Sequence, residues 1–374
     1  MIAAISFIIW TIGFSYIFLI LRFHFSWMQM TDAKTISDQK MMVSIVVAIR
    51  NEALHIISLL SSIQKQTYQN FEIIVIDDHS TDSSYRLVQE FQKTNPDLDL
   101  KLYQLTESKF GKKEALLKAY SLAKGDIIIC TDGDCIVSPE WIQIGISFFE
   151  NKKVKMVCGG VKLEKTSTFL QQFQAMELMS LIGCGGASIC MNQAIMSNGA
   201  NLSFRKELIE NTDRRVLQAN TPSGDDLFLM QQCKKQFGEE SIVFVKNKAH
   251  WVETKAEESW SHLIQQRLRW VSKSSFYKDR FLQLVSLLVL LVNLLSILLL
   301  ILSIIDSYWI SQLLYFWLLK MGTDFLFLKS IAKDSGQKKL LRYFPVVSLI
   351  YPFFIGYTAI AGQFVHFKWK DRNY

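Results

Sequence analysis

From Ile2 to Leu21 the chain carries no charged residue, and from Phe281 to Ile305 it again carries none. A helix needs about 20 apolar residues to cross a bilayer, so each run is long enough to span one. Runs of this kind divide the sequence before any motif is read: a membrane helix over 1–24, and a membrane region over 281–374. Tyr308–Leu328 and Phe344–Phe367 are further candidate spans. The first of these holds Lys320 and Asp324, four residues apart and able to pair on one helix face. Charge inside a span is costly, which assigns that segment to the inside of a bundle or to the interface. No basic stretch and no small-residue cleavage site accompany Ile2–Leu21, which favours a retained helix over a cleaved signal.

Basic residues orient these spans. Arg22 follows the first; Lys273, Lys278 and Arg280 precede the second; Lys333, Lys338, Lys339 and Arg342 lie between the last two. All three groups agree with a cytoplasmic central domain in a multi-pass protein of the cell (inner) membrane. The tail, with Lys368, Lys370 and Arg372, disagrees with three full crossings after Arg280, so the number of crossings stays open. The net charge of +7 fits a domain held against an anionic leaflet. Nucleic-acid binding fits poorly, because the basic residues flank membrane segments. The 6 cysteines form no CxxC pair and no metal-ligand spacing, and read as buried, reduced thiols.

Between Met41 and Arg280 the sequence is mixed and periodic. Val43–Ile49, Phe71–Ile76, Leu100–Leu105 and the apolar run from Ile127 to Cys130 read as strands, each separated from the next by a helical pattern. That alternation predicts βαβ units and an α/β fold with a mostly parallel sheet. Ligands of such sheets bind beyond the carboxyl ends of the strands. Thr168–Leu181 reads as an amphipathic helix ended by Gly183, Gly185 and Gly186, facing either the core or the membrane interface. The expected division is a nucleotide-binding half over 41–160 and an acceptor-binding half over 161–280.

Acidic residues fall at the predicted strand ends. Asp132 and Asp134 follow the fourth strand, separated by Gly133, whose missing Cβ leaves room for a ligand. Two hard oxygen donors there suit Mg2+ or Mn2+ holding a phosphate. Asp77 and Asp78 end the second strand, where a carboxylate accepts from a nucleobase N–H or a ribose hydroxyl; the alternative is a helix cap, which Asp82 fits. Lys112 opens a helix, a place that already favours phosphate. Asp225 and Asp226 begin an apolar helix after Ser223-Gly224; one fits a cap and the other a general base for an incoming hydroxyl. Gln266, Arg269 and Trp270 share a helix face, where an arginine fork suits a diphosphate and an indole gives a sugar a flat wall. None of the histidines has metal spacing.

In this order, the segments Val-Ser-Ile-Val-Val-Ala-Ile-Arg-Asn-Glu, Asp-Asp-His-Ser-Thr-Asp, Gly-Lys-Lys-Glu-Ala-Leu, Thr-Asp-Gly-Asp, Gly-Asp-Asp and Gln-x-x-Arg-Trp resemble the family-2 glycosyltransferases. These are inverting nucleotide-sugar enzymes with a Rossmann-like, GT-A domain, and the resemblance covers about Met41 to Arg280. It implies that Asp78 contacts the nucleobase, Lys112 the nucleotide, Asp132 the nucleotide-sugar, and Asp134 the metal and diphosphate. Asp226 matches the catalytic base, though Gly-Asp-Asp stands where many members have Glu-Asp. Gln266, Arg269 and Trp270 match the motif that closes over the donor, and the Asn198–Arg205 segment looks like an acceptor-side loop, which brings Asn198, Gly199, Asn201 and Asp225 to the acceptor side. The implied partners are a nucleotide-sugar donor, UDP-linked in the commonest case, and a lipid, lipid-linked or polysaccharide acceptor. Spans on both sides of the domain suit any of these. About three spans after Arg280 leave little wall for a polymer channel, which favours a lipid or lipid-linked acceptor, with a processive polysaccharide synthase as the alternative. Outside this class, a phosphatase would need its Asp-x-Asp after the first strand. A nucleotidyltransferase leaves Gln-x-x-Arg-Trp unexplained, and a silent scaffold leaves the full set of acids unexplained.

Overall fold

A computed structural model describes residues 2–31, 41–212, 225–271 and 279–362, and the backbone of 368–369 and 372–373. Ser223, Gly224, Lys273 and Lys278 lie outside the described residues, as do the side chains of Asp225, Lys368, Lys370 and Arg372. The chain forms two compact units: a sheet unit (Thr31–Lys165 and Ile189–Ala256) and a helical unit (Met1–Met30, Thr166–Ser188 and Glu257–Tyr374).

The sheet unit is built on β1 (Val43–Ile49), β2 (Phe71–Asp77), β3 (Leu100–Gln104), β4 (Ile127–Asp132), β5 (Met156–Gly159), β7 (Leu202–Arg205) and β8 (Ile242–Val245), in the order β3-β2-β1-β4-β7-β5-β8. Only β7 runs against its neighbours; the other strands are parallel. The short strands β6 (Val161–Leu163) and β9 (Val252–Thr254) pair separately. Runs of Val and Ile make β1, β2 and β4 almost wholly buried, as strands covered on both faces must be. Register then does the positioning. Ile49 pairs with Asp77 and Ala48 with Asp132, so the acids that end β2 and β4 emerge at one edge of the sheet.

The opposite edge is closed by a buried carboxylate. Glu72 accepts from Ser44 Oγ (2.6 Å), Lys101 Nζ (2.5 Å) and Lys124 N (2.6 Å). Burial pushes its carboxyl up, but these donors outweigh burial and hold it below the usual range. Gly125 is required beside it, since a Cβ there would lie 2.5 Å from Ser44 N.

The segment expected as an acceptor loop, Asn198–Arg205, is instead a short turn leading into β7, which inserts antiparallel between β4 and β5. The helix expected to stop at Leu181 continues to Cys190. Its glycines do not terminate it; they let another helix approach, for a Cβ at Gly183 would lie 2.0 Å from Ile331 Cδ1. Four of the cysteines are buried as expected, but Cys184 is half-buried and Cys190 exposed.

In the helical unit, Ile2–Gln29, Phe169–Cys190, Arg280–Ile305 and the stretch Lys338–Ala361 are long and apolar enough to cross a membrane. Among the described residues, the exposed large apolar side chains fall almost entirely in this unit; the sheet unit shows only Leu54 and Phe110. Apolar surface on that scale marks a membrane-embedded body. Phe169–Cys190 differs from the rest. Its apolar window is 78% buried against 22–33% for the others, so it is the unit's inner helix. The helix Tyr308–Asp334 packs beside Ile2–Gln29, and a ladder of polar contacts joins them: Ser6 with Tyr308 (3.2 Å), Trp10 with Gln312 (2.8 Å), Tyr16 with Asp324 (2.8 Å), His24 with Ser330 (3.1 Å) and Trp27 with Asp334 (2.8 Å). Both numbers rise together along the ladder, so the two helices are parallel. Lys320 and Asp324 do pair, at 2.8 Å, and face inward.

Candidate functional site

The carboxyl edge of β1, β2 and β4 gathers a set of polar groups. The turn after β1 and the turn after β2 are laced together: Asn51 N donates to Ser80 Oγ (3.0 Å), Glu52 N to Ser84 Oγ (2.7 Å), Ala53 N to Asp82 Oδ2 (3.1 Å), and Thr81 N to Asn51 Oδ1 (2.8 Å). Asn51 and His79 adopt positive φ (53° and 54°) to make these turns, a strain that the network must hold. Arg50 Nη1 donates to the carbonyls of Asp78 (2.8 Å) and His79 (3.2 Å). Asp82 thus joins two loops rather than only capping a helix.

Asp78 is buried, and its Oδ2 accepts from Gly111 N (3.1 Å). That bond fixes the residue immediately before the helix Lys112–Leu122, where Gly111 takes φ 98°. Lys112 is thereby aimed at the end of β4, and its Nζ donates to Asp132 Oδ1 at 2.5 Å, with both side chains about one-third exposed. Asp77 is fully buried; its Oδ2 accepts from Ser80 N and Gln104 Nε2 (both 3.2 Å), while Oδ1 has no partner among the described residues.

Asp134 is held from the other side, accepting from Thr254 Oγ1 (3.0 Å) at the end of β9. Ile136 and Glu253 exchange backbone hydrogen bonds (2.8 and 2.9 Å) that anchor this loop to β9. Gly133 corrects one expectation. A Cβ there would lie 2.9 Å from Glu52 Cγ and 3.1 Å from Ile49 Cγ2, so its open side admits the β1 turn and not a ligand. The Cys135 thiol next door is buried, and burial together with Asp134 and Asp132 pushes it well above its usual range, so it is no nucleophile.

Asp226 stands on the helix Asp225–Phe237, half-buried. Its Oδ2 accepts from Gly199 N (3.1 Å) and its Oδ1 from Leu227 N (2.8 Å). Gly199 lies in the turn just before β7, and β7 pairs with β4, which brings Asp226 to the same edge as Asp132. Asn198 braces that turn, accepting from Ala200 N (3.0 Å). Asn201, expected on the acceptor side, is fully buried. Its amide donates to the carbonyls of Gly160 (2.9 Å) and His250 (2.7 Å) and accepts from Trp141 Nε1 (2.9 Å). It is a brace between strands, and Gly159 makes room for it. Asp225 opens the helix in backbone only, its side chain lying outside the described residues.

Gln266, Arg269 and Trp270 belong to the helical unit, on the helix Trp260–Val271. Gln266 Nε2 donates to Glu257 Oε1 (2.6 Å). Trp270 is covered by the guanidinium of Arg267, 4.1 Å from its centroid. Arg267 occupies an unspecified position of the motif, so the sequence does not single it out. It is nevertheless the buried member, paired bidentately with Glu177 (2.9 and 2.7 Å). Helical spacing alone holds no signal for that pair, since its members are 90 residues apart.

Among the described residues, no group of three or more His, Cys, Asp or Glu side chains could hold a metal ion. The donor set nevertheless fits a divalent cation. Asp132 already faces a cation, the Lys112 ammonium, and Asp134 keeps one oxygen whose hydrogen-bond partner among the described residues is the Cys135 thiol at 3.8 Å. Two carboxylates cannot complete an octahedral shell, so they suit an ion that arrives with a phosphate ligand of its own.

Parallel strands delivering acids and one lysine to a common edge define a domain of the nucleotide-sugar type. Residues 44–210 match the family model described as glycosyl transferase family 2, so this stretch is a family-2 glycosyltransferase domain with a Rossmann-like GT-A fold. The chain is 28% identical over 205 residues to a poly-beta-1,6-N-acetyl-D-glucosamine synthase of Staphylococcus epidermidis, covering 54% of this chain and 48% of that one. It is 28% identical over 204 residues to the protein of the same name from Staphylococcus aureus strain COL, with the same shares. The chain therefore spans about half the length of the curated relatives it matches. Among solved structures, a mannosyltransferase from Pyrobaculum calidifontis in complex with GDP-Man and Mn2+ has the same fold, with a TM-score of 0.60 at 16% identity over 97% of this chain and 99% of that one.

Proposed function

We propose that this protein is an inverting glycosyltransferase that moves a sugar from a nucleotide-sugar donor to a hydroxyl of a saccharide or lipid-linked acceptor at the cytoplasmic face of the cell membrane. The observation that carries this reading is the convergence of Asp78, Lys112, Asp132 and Asp134 on one edge of the sheet, with Lys112 and Asp132 in contact at 2.5 Å. The family-2 match over residues 44–210 supports it. Asp226 and Gln266–Trp270 lie beyond that match, and their roles rest on their chemistry and on the resemblance of their motifs.

In this reading Asp78 sets the Gly111 turn and meets the base of the donor, and Lys112 releases Asp132 to face the incoming diphosphate. Asp134 and Asp132 would hold Mg2+ or Mn2+, which supplies positive charge to the leaving nucleoside diphosphate. Lys112 adds fixed positive charge to that diphosphate, and the resemblance of its motif gives Arg269 the same task. Asp226 accepts the proton of the acceptor hydroxyl as that oxygen bonds to the anomeric carbon. The bond from that carbon to the diphosphate oxygen breaks on the opposite side, so configuration inverts. Gly199 N holds one oxygen of Asp226 in a fixed direction for this task. Trp270 offers its ring to the acceptor sugar.

Relatives named as poly-beta-1,6-N-acetyl-D-glucosamine synthases favour a saccharide acceptor and make N-acetylglucosamine the first sugar to try. The helical unit, with its broad apolar surface, favours an acceptor presented from the membrane. The test incubates detergent-purified protein with a panel of nucleotide-sugars and Mn2+, then analyses the lipid extract and the polymer fraction separately. Transfer from no donor in the panel, with binding to none, would sink the proposal.

A further inference from the structure

The Gln-x-x-Arg-Trp element is held by a buried network that the sheet unit does not share. One guanidinium, that of Arg267, makes three kinds of contact. Its Nε and Nη2 donate to the two oxygens of Glu177 (2.9 and 2.7 Å), its Nη1 donates to Gln266 Oε1, and its plane covers the Trp270 ring at 4.1 Å. Glu177 is 3% exposed and Arg267 7%. One turn before Glu177, on the same inner helix Phe169–Cys190, Gln174 exchanges two hydrogen bonds with the backbone of Glu257, each 2.9 Å. Glu257 in turn accepts from Gln266 Nε2 (2.6 Å). Phe173 seals the junction against Trp260, with ring centroids 5.2 Å apart.

A buried bidentate pair adds little stability of its own, since apolar residues of the same volume would serve as well. Its geometry serves direction instead: both the amide and the indole of the motif are oriented by groups on one inner helix. We propose that Glu177 and Arg267, supported by Gln174 and Glu257, are positioning residues that fix Gln266 and Trp270 for sugar transfer. This rests on the transferase reading above. In this proposal Arg267 acts by setting the Trp270 plane and by holding the Gln266 side-chain carbonyl, while the motif's other arginine, Arg269, serves the diphosphate.

The test uses the full-length enzyme in detergent, with Arg267→Lys, Glu177→Gln and the charge-exchanged double variant Glu177→Arg/Arg267→Glu. A lysine keeps the charge but neither forks onto Glu177 nor stacks on an indole. Arg267→Lys is expected to lower kcat for transfer by about 10²-fold, as small misplacements of positioning groups do. The exchanged pair is expected to regain the thermal midpoint lost by either single change, without regaining transfer, because a carboxylate at 267 neither covers Trp270 nor donates to Gln266. Restoration of both by the exchange would reduce the pair to a structural staple and overturn the proposal. Trp270 emission, taken as each protein minus its Trp270→Phe counterpart, gives a readout that needs no turnover. It should shift to the red and become open to acrylamide quenching in Arg267→Lys. An unmoved Trp270 signal overturns the inference even if the wild type transfers sugar, and a moved signal in a protein that transfers none faults only the transferase reading.

Discussion

The carboxyl edge of the sheet and the interior of the helical unit treat charge in opposite ways. At the edge of the sheet, Asp132 and Lys112 stay about one-third exposed, and Asp134 has an oxygen that, among the described residues, is partnered by a thiol at 3.8 Å. Inside the helical unit two ion pairs are sunk: Glu177 with Arg267, and Lys320 with an Asp324 that also accepts from Tyr16. Groups that must exchange partners during a reaction are left with unused capacity. Groups that must never exchange partners are saturated, because a lone charge in a low-dielectric interior costs several kcal/mol. Exposure and leftover hydrogen-bonding capacity, rather than the presence of a charge, separate the candidate reactive set from the scaffold.

Four measurements bear on that contrast. The greatest loss is expected at Asp226. Asp226→Asn keeps the shape and should lower transfer by about 10²–10⁴-fold, the usual range for general acid–base catalysis. Near-normal turnover would remove the base assignment. Next comes Asp134→Ala, which should weaken donor binding by more than about 100-fold and erase its dependence on Mn2+, since losing a ligand costs more than losing an outer-shell partner. Calorimetry with and without the metal reads this directly. On the saturated side, Asp324→Asn strands Lys320 and should cost about 3–5 kcal/mol of stability with little change in donor affinity. A thermal midpoint within error of the wild type would show the pair to be less enclosed than its geometry.

The mildest change concerns His250. It is fully buried with Nδ1 on the Trp141 carbonyl (2.9 Å) and Nε2 without a partner among the described residues, and burial holds its pKa down to about 4. The unfolded chain takes up this proton near pH 6.5 and the folded chain does not. Stability from this group is therefore full above that pH and falls by about 1.4 kcal/mol per unit as pH drops from about 6.5 toward 4. Unfolding midpoints measured across that window should show the decline, and His250→Gln should flatten it.

The readability of the sequence followed length and locality. The central strands were legible because β1, β2 and β4 are runs of Val and Ile with polar turns at their ends. The strands β5, β7 and β8 have four residues each, too few for a period to stand out, and β7 looked like a loop because its role is to pair across the sheet. The glycines at 183, 185 and 186 looked like a stop because local propensity disfavours glycine inside a helix; the packing of Ile331 against Gly183 outweighs that propensity. Asn201 read as a surface polar residue in a functional motif, yet its three hydrogen bonds are all internal. The acids were found in sequence because they sit at strand ends. Their partners Thr254 and Gly199, like the Glu177 that meets Arg267, come from distant segments and carry no local signal.

The ladder between Ile2–Gln29 and Tyr308–Asp334 has a consequence for how the protein is made. Its rungs join residues 302–308 positions apart, so the helix Ile2–Gln29 leaves the ribosome some 300 residues before its partner does. At about 5–20 residues per second, the first helix waits roughly 15–60 s for Tyr16 and Trp27 to find Asp324 and Asp334. During that wait it stands in the bilayer as a single anchored rod with its polar face unsatisfied. Capture of the Ile2–Gln29 helix is then a late assembly step, and a chain cut after that helix should still recover it from the membrane as a separate piece.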